Sequence, residues 1–204
     1  MKIKKIIFST LAVIPMLMNM PCVNAAVRGD ANGDGKLDVR DAAFIASSLA
    51  KGNAINSAGD YNGDGKINIR DAAAIARDLS LKFEASNKQE TILKLVNQER
   101  AKVGASPLKL NTTMNKMANV RAKELKTLFS HTRPDGRDCF TVFDDFNLEC
   151  FQAGENIAMT VSNDADHVMQ LWINSEGHYL NMISSDYTEL GVGYADGYWV
   201  QIFR

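Results

Sequence analysis

Between residues 30 and 71, oxygen-bearing side chains recur on a fixed schedule. Asp30, Asn32, Asp34, Asp38 and Asp41 fall at positions 1, 3, 5, 9 and 12 of a twelve-residue stretch. Asp60, Asn62, Asp64, Asn68 and Asp71 repeat the pattern 30 residues later. Gly35 and Gly65 take position 6, where the chain must turn sharply. The carbonyls of Lys36 and Lys66 fall at position 7. Hard oxygen donors at this spacing suit Ca²⁺, one ion per loop. Plain polar turns are also rich in Asp, Asn and Gly, but two aligned copies with every ligand position filled argue against that reading. Position 12 is Asp where such loops usually carry Glu, so the ion must sit closer to the following helix. Loop 1 has four carboxylates and loop 2 has three. Like charges around an empty centre repel, so both loops are expected to need the ion to fold, and loop 1 to hold it more tightly.

The loops belong to an internal repeat. Gly29–Ala43 (GDANGDGKLDVRDAA) and Gly59–Ala73 (GDYNGDGKINIRDAA) are identical at 11 of 15 positions. Apolar residues follow each at helical spacing: Ala42, Ile45, Ala46 and Leu49, then Ala72, Ile75, Ala76 and Leu79. One short amphipathic helix is expected after each loop. No helix is expected before them, because Val27-Arg28 and Asn56-Ser57-Ala58 are not helical in pattern. Two EF-hand-like loop–helix repeats without leading helices resemble a type I dockerin over residues 28–82. The resemblance implies docking to a cohesin module of a scaffoldin, in a cellulosome-type assembly. It also implies that loop positions 10 and 11, here Val39-Arg40 and Ile69-Arg70, help select the cohesin. Their near-equality lets either repeat face the partner. Packing of Val39 and Ile69 between the paired loops is an equal alternative.

All three histidines lie within residues 131–178. Phe129–Gly136 reads FSHTRPDG, Gly154–Ala158 reads GENIA, and Trp172–Asn181 reads WINSEGHYLN. With LVNQERAKVGASPLKLN at Leu95–Asn111 and ELGVGYADGYWVQIF at Glu189–Phe203, this resembles the bacterial branch of the CAP superfamily, the SCP-like extracellular proteins. The resemblance implies an α-β-α sandwich with a cleft. His131, Glu155 and His178 match the family's cleft residues, and Glu176 matches more weakly. Three chemistries are open to such a cluster. Two neutral imidazoles and a carboxylate could bind Zn²⁺. A His–Glu pair could move protons in hydrolysis. The polar groups could instead hydrogen-bond across the sandwich and hold it together. No Ser or Cys nucleophile sits in a recognisable elbow. The cargo is therefore read as of unresolved activity. Its alternatives are a hydrolase (metal- or calcium-assisted and peptidase-like, or acting in polysaccharide breakdown) and a lipid- or cell-wall-binding module.

Other residues receive plainer readings. His167 is expected on a solvated surface, and Trp172 and Trp199 in the core. Arg133 and Arg137 are expected to form salt bridges. Cys139 and Cys150 enclose a short loop, and in an exported chain they are expected to form a disulfide.

The elements that must carry these residues can be traced in turn. Phe83–Lys88 reads as a polar joint, with Ser86 and Gln89 as a capping box opening the next helix. That helix carries Ile92, Leu95, Val96, Glu99 and Val103, and Gly104 ends it. Asn111 caps a second helix whose inner stripe holds Met114, Met117, Ala118, Arg121, Leu125 and Leu128. A third helix spans Asp164 to about Asn174. The period then changes to two, with Leu190-Val192-Tyr194 and Tyr198-Val200-Ile202 flanking Asp196-Gly197, a hairpin signal. The fold class is α+β, a small all-α calcium-binding module over 26–82 joined through 83–88 to an α-β-α sandwich over 89–204.

Met1–Ala25 reads as a secretory leader, with Lys2, Lys4 and Lys5 before the apolar run Ile6–Met20 and small residues near the cut. The run is too short for a spanning helix. The protein is thus expected outside the cell, at the surface or held by a scaffoldin, without a stable membrane anchor. Its 23 basic and 24 acidic residues give a net charge of −1, which argues against nucleic-acid binding through bulk positive charge.

Overall fold

The computed structural model describes residues 27–204, and the leader expected over Met1–Ala25 lies outside the described residues. Two compact units divide between Ile75 and Ala76. Among the described residues no helix is long and apolar enough to cross a membrane.

In the first unit, Asp38 starts α1 (Val39–Lys51) through a capping box. Its side chain accepts from the Arg40 N–H, while the Asp41 side chain accepts from the Asp38 N–H. Gly52 ends the helix in the left-handed region at φ 69°. The second repeat leads in the same way into α2 (Ile69–Lys102). Ala42, Ile45, Ala72 and Ile75 are buried, whereas Leu49 is partly exposed. Among the described residues no α-helix leads directly into either loop, and a 3₁₀ turn at Ser57–Gly59 leads into the second. The repeats are tied to each other by main-chain contacts. The Gly29 N–H donates to the Ala58 carbonyl at 2.8 Å, and Asn56 Nδ2 donates to the carbonyls of Asp30 and Ala31. Arg28 stacks its guanidinium over the Tyr61 ring at 5.8 Å. Gly29 sits at φ +91°, and a Cβ there would lie 2.6 Å from Leu37 and 2.7 Å from Tyr61, so the turn needs glycine twice over.

The second unit is a four-stranded sheet in the order β1-β3-β4-β2, made of β1 (Lys109–Leu110), β2 (Gly154–Met159), β3 (Glu189–Ala195) and β4 (Tyr198–Phe203). β1 runs parallel to β3, and the other pairs are antiparallel. The β3–β4 turn is Asp196-Gly197, with φ 47° and 91°, as the hairpin signal requires. Two apolar clusters cover the two faces. On one side α3 (Thr112–Glu124) brings Met114, Met117 and Ala118 against Ile157, Val200 and Ile202, joined by Val142 and Phe143 of the short α4 (Val142–Asp145). On the other, Ile92 and Val96 of α2 join Val168, Met169 and Trp172 of α5 (Ala165–Ile173) and Met182 of α6 (Glu176–Ile183) over Leu190, Val192, Trp199 and Phe203. Alternate residues of β4 therefore serve opposite clusters, and Trp172 and Trp199 lie in the core as expected. Gly191 and Gly193 let α3 approach: a Cβ would lie 2.5 Å from the Met114 oxygen and 2.2 Å from the Ala118 oxygen.

Residues 83–88 are helical, inside α2, where a polar joint was expected. Glu84, Ala85, Lys88 and Gln89 favour helix, and the segment has no Gly or Pro to stop it. The Ser86–Gln89 capping box does not form. Gln89 instead donates to the Val192 carbonyl and accepts from Asn115 Nδ2. Asn111 caps α3 as expected, accepting from the N–H groups of Thr113 and Met114, but the helix ends at Glu124 rather than Leu128.

Candidate calcium loops and a candidate histidine–carboxylate site

In loop 1 the position-1 carboxylate organises the turn. Asp30 accepts from the N–H groups of Gly33, Asp34 and Gly35 at 2.8, 3.0 and 2.8 Å. Asn32 accepts from Asp34 N–H, and Asp34 from Lys36 N–H. Asp41, fully buried, accepts from the N–H groups of Asn32 and Asp38 at 3.2 and 2.9 Å. Loop 2 repeats this bond for bond. Asp60 accepts from Gly63, Asp64 and Gly65, while buried Asp71 accepts from Asn62 and Asn68. The short position-12 side chain is thus tied to positions 3 and 9 in each loop, and each loop gathers its five side-chain donors around its own turn. The donor set of carboxylate, amide and carbonyl oxygens, with Lys36 and Lys66 at position 7, fits Ca²⁺. Val39 and Ile69 are 67% and 60% exposed, and Arg40 and Arg70 are exposed beside them. Packing of Val39 and Ile69 between the loops is therefore overturned. Both sit at the first position of a helix, where the side chain faces away from the unit's core.

The second site is built on the edge strand β2. Glu155 is 6% exposed and faces the α3 side of the sheet. Arg121, from the apolar stripe of α3 and wholly buried, donates Nε to Glu155 Oε2 at 2.8 Å and Nη2 to Oε1 at 3.2 Å. Its Nη1 donates to Glu124 at 2.6 Å, and Nη2 also reaches the Ser130 carbonyl. Burial alone would lower the Arg121 pKa, but the bonds and charges of Glu155 and Glu124 outweigh it and raise it. Arg133 extends the network to Glu124 and Asp145, and Arg137 bonds Asp135 and Asp145, so both form the salt bridges expected of them.

The FSHTRPDG segment folds as a turn that presents His131. Gly136, at φ +85°, closes it onto the Arg133 carbonyl, and the Cys139 N–H donates to the His131 carbonyl at 2.9 Å. The His131 side chain is 56% exposed, and its Nδ1 lies 2.8 Å from Glu155 Oε1. A carboxylate only accepts, so Nδ1 carries a proton, and in the neutral ring Nε2 is left with a lone pair. An imidazole so oriented is able to take or give a proton at Nε2.

His178 is half-buried on α6, with Nδ1 buried and without a hydrogen-bond partner among the described residues. Burial, then the nearby His131, push its pKa below the ordinary histidine value. Asn156, the third residue of GENIA, donates to the His178 carbonyl at 2.9 Å and accepts from Asn181, fixing α6 to β2. Glu176 is exposed, and its side chain makes no hydrogen bond or ion pair among the described residues, so it does not join the cluster. His167 is exposed, as expected.

Cys139 and Cys150 are both free, which corrects the expected disulfide. Cys139 is buried beside His131 and Glu155, with the three candidate ligand atoms within 4.8 Å of one another, while the Cys150 thiol bonds the Gln152 carbonyl. Burial, then the Glu155 charge, push the Cys139 thiol up to about 12. His178 is not in that group, so His131, Glu155 and His178 do not close as one ligand set. Nor does the group they leave fit Zn²⁺. Arg121 donates to both oxygens of Glu155, so a cation already stands where the metal's charge would go. Residue-by-residue matching found His131 and Glu155. It missed Arg121 and Cys139, although an arginine inside an apolar helical stripe was a visible signal.

The matches to known proteins divide the same way. Residues 93–203 match the cysteine-rich secretory protein family, CAP, and residues 28–80 match the dockerin type I domain. The uncharacterized protein YkwD of Bacillus subtilis is 33% identical over 119 residues, covering 56% of this chain and 46% of that protein. The uncharacterized membrane protein YlbC of the same organism is 32% identical over 120 residues, covering 58% of this chain and 34% of that protein. The chain thus spans less than half the length of these curated relatives. The crystal structure of an extracellular SCP-domain protein from Bacillus anthracis is 29% identical, with a TM-score of 0.55, covering 58% of this chain and 40% of that one. Type I dockerin domains generally bind calcium. The chain belongs to the cysteine-rich secretory protein (CAP) family and carries a type I dockerin domain ahead of its CAP domain.

Proposed function

We propose that the protein is a secreted component of a cellulosome-type assembly, in which residues 26–82 dock to a scaffoldin cohesin and residues 89–204 are the cargo. Two Ca²⁺ ions, one in each loop, order the docking unit. The observation that carries this reading is the exposure of Val39 and Ile69, at 67% and 60%, at the same place in two loops whose ligand residues are already arrayed. An apolar side chain held outward beside an arginine, twice over, supports a contact surface rather than a core. Binding of the full chain to immobilised cohesins with Ca²⁺ and with EDTA tests it. Calcium-dependent capture is expected, and capture that survives EDTA contradicts it.

For the cargo, the geometry favours proton transfer over metal binding, and so a hydrolase over a metal-holding scaffold. The supporting observation is the 2.8 Å His131–Glu155 bond beneath a ring that is 56% exposed. The His131 Nε2 serves as the base, Glu155 holds the tautomer, and Arg121 holds Glu155. Profiling of the full chain on peptide and glycan pools tests it. Turnover that is lost in His131→Ala supports the reading. Saturable binding without turnover contradicts it.

A further inference from the structure

Arg40 and Arg70 occupy the same position of the two repeats, yet their surroundings differ. Arg40 is folded back on its own loop. Its Nε lies 3.0 and 3.1 Å from the two Asp38 oxygens, and its Nη2 lies 2.6 Å from Asp38 Oδ2 and 3.0 Å from Asp34 Oδ2. Asp34 and Asp38 are the position-5 and position-9 donors of loop 1. In loop 2 the position-9 residue is Asn68, which accepts from the Arg70 N–H but offers no charge. The Arg70 side chain makes no ion pair or hydrogen bond among the described residues. One substitution between the repeats, Asp38 against Asn68, therefore decides whether the arginine is tethered.

We infer that Arg40 is a built-in counter-ion of loop 1 that sets its calcium affinity, an inference that rests on the calcium reading of the loops. Loop 1 carries four carboxylates against three in loop 2, which by charge alone makes it the tighter site. The Arg40 guanidinium offsets one of those charges and competes for the two carboxylates that a calcium ion would also use. An incoming ion must displace or share that cation in loop 1, and meets none in loop 2. The advantage in affinity that loop 1 has by charge is thereby narrowed. The pairing is exposed, with the Arg40 side chain at 60%, so its effect is modest and falls with salt.

The backbone N–H groups of Gly35 and Gly65 each donate to the position-1 aspartate of their own loop, and report on one loop apiece. The test is an NMR titration of the full chain with chelator-buffered Ca²⁺, following these two resonances in wild type, Arg40→Gln and Arg70→Gln. The Gln variants keep the backbone bonds that start each helix. Arg40→Gln is expected to move the Gly35 midpoint to roughly 2- to 5-fold lower Ca²⁺ and to leave Gly65 in place. Arg70→Gln is expected to move neither, and Arg40→Lys, which keeps a charge without the planar fork, to fall between wild type and Gln. An unmoved Gly35 midpoint in Arg40→Gln, or equal shifts from the two Gln variants, overturns the inference while leaving calcium binding intact. If neither glycine responds to Ca²⁺ in wild type, the calcium reading falls and the inference with it.

Discussion

Glu155 is a carboxylate that water barely reaches, and it stays there because Arg121 and His131 aim three N–H groups at it. Removing one member of such a buried group leaves the other's charge uncompensated. Arg121→Met is therefore expected to destabilise the chain by about 3–5 kcal/mol, read by urea unfolding, whereas exposed Arg137→Ala should change stability by less than about 1 kcal/mol. His178 gives a pH dependence. Its folded pKa lies below the ordinary value, so the unfolded chain binds the proton more readily. The stability that neutral His178 contributes is complete above the unfolded value near ~6.5 and is lost as pH falls through the lowered folded one. Melting temperatures measured downward from pH 7.5 should fall across that window, and His178→Gln should flatten the fall. His131 and Glu155 were legible from short motifs. Their support was not, because Arg121 meets Glu155 across 34 residues and Cys139 meets it through a turn, and no local pattern encodes either pairing. The same spacing in sequence that hinted at a Cys139–Cys150 bridge says nothing about which way each thiol points.

Among the elements, caps and turns were the most readable parts. Asn111 and Asp164 start helices and Asp196-Gly197 makes the hairpin as read, whereas the Asp38 capping box went unread and the Ser86–Gln89 box does not form. Strand β2 was hidden, because both faces of the sheet are covered and five of its six residues are buried, so GENIAM shows no polar alternation. The run 83–88 was misleading for the opposite reason. Its polarity reads as a joint, but polar residues with good helix propensity simply continue α2. The glycines of β3 carry a prediction. Gly193→Ala would drive a Cβ to 2.1 Å from the Ala118 carbonyl carbon, and backbone cannot yield as a side-chain end can. A loss above about 3 kcal/mol, or failure to fold, is expected by thermal unfolding, while Gly177→Ala, whose Cβ would meet nothing within 4 Å, should be tolerated.

Over the whole molecule, two units of different chemistry share one chain. The first is organised by carboxylates around two turns and the second by two apolar clusters on a sheet. Their stabilities should separate in a chelator. Calorimetry of the full chain is expected to show one transition that disappears in EDTA and one that does not, since like charges around an empty loop oppose folding of the first unit alone. The near-identity of the repeats also bears on orientation. Changing Val39-Arg40 alone, or Ile69-Arg70 alone, should weaken docking little, and changing both should abolish it; loss from one single change would show a fixed orientation. Calcium, on the reading proposed above, shapes a cohesin-binding surface on this chain. The most direct test is biolayer interferometry of the full chain against a panel of immobilised type I cohesins, in millimolar Ca²⁺ and then in EDTA. Binding to at least one cohesin in Ca²⁺, and none in EDTA, is the predicted result. Absence of binding to every cohesin in Ca²⁺, or binding that is equal in both buffers, would contradict it.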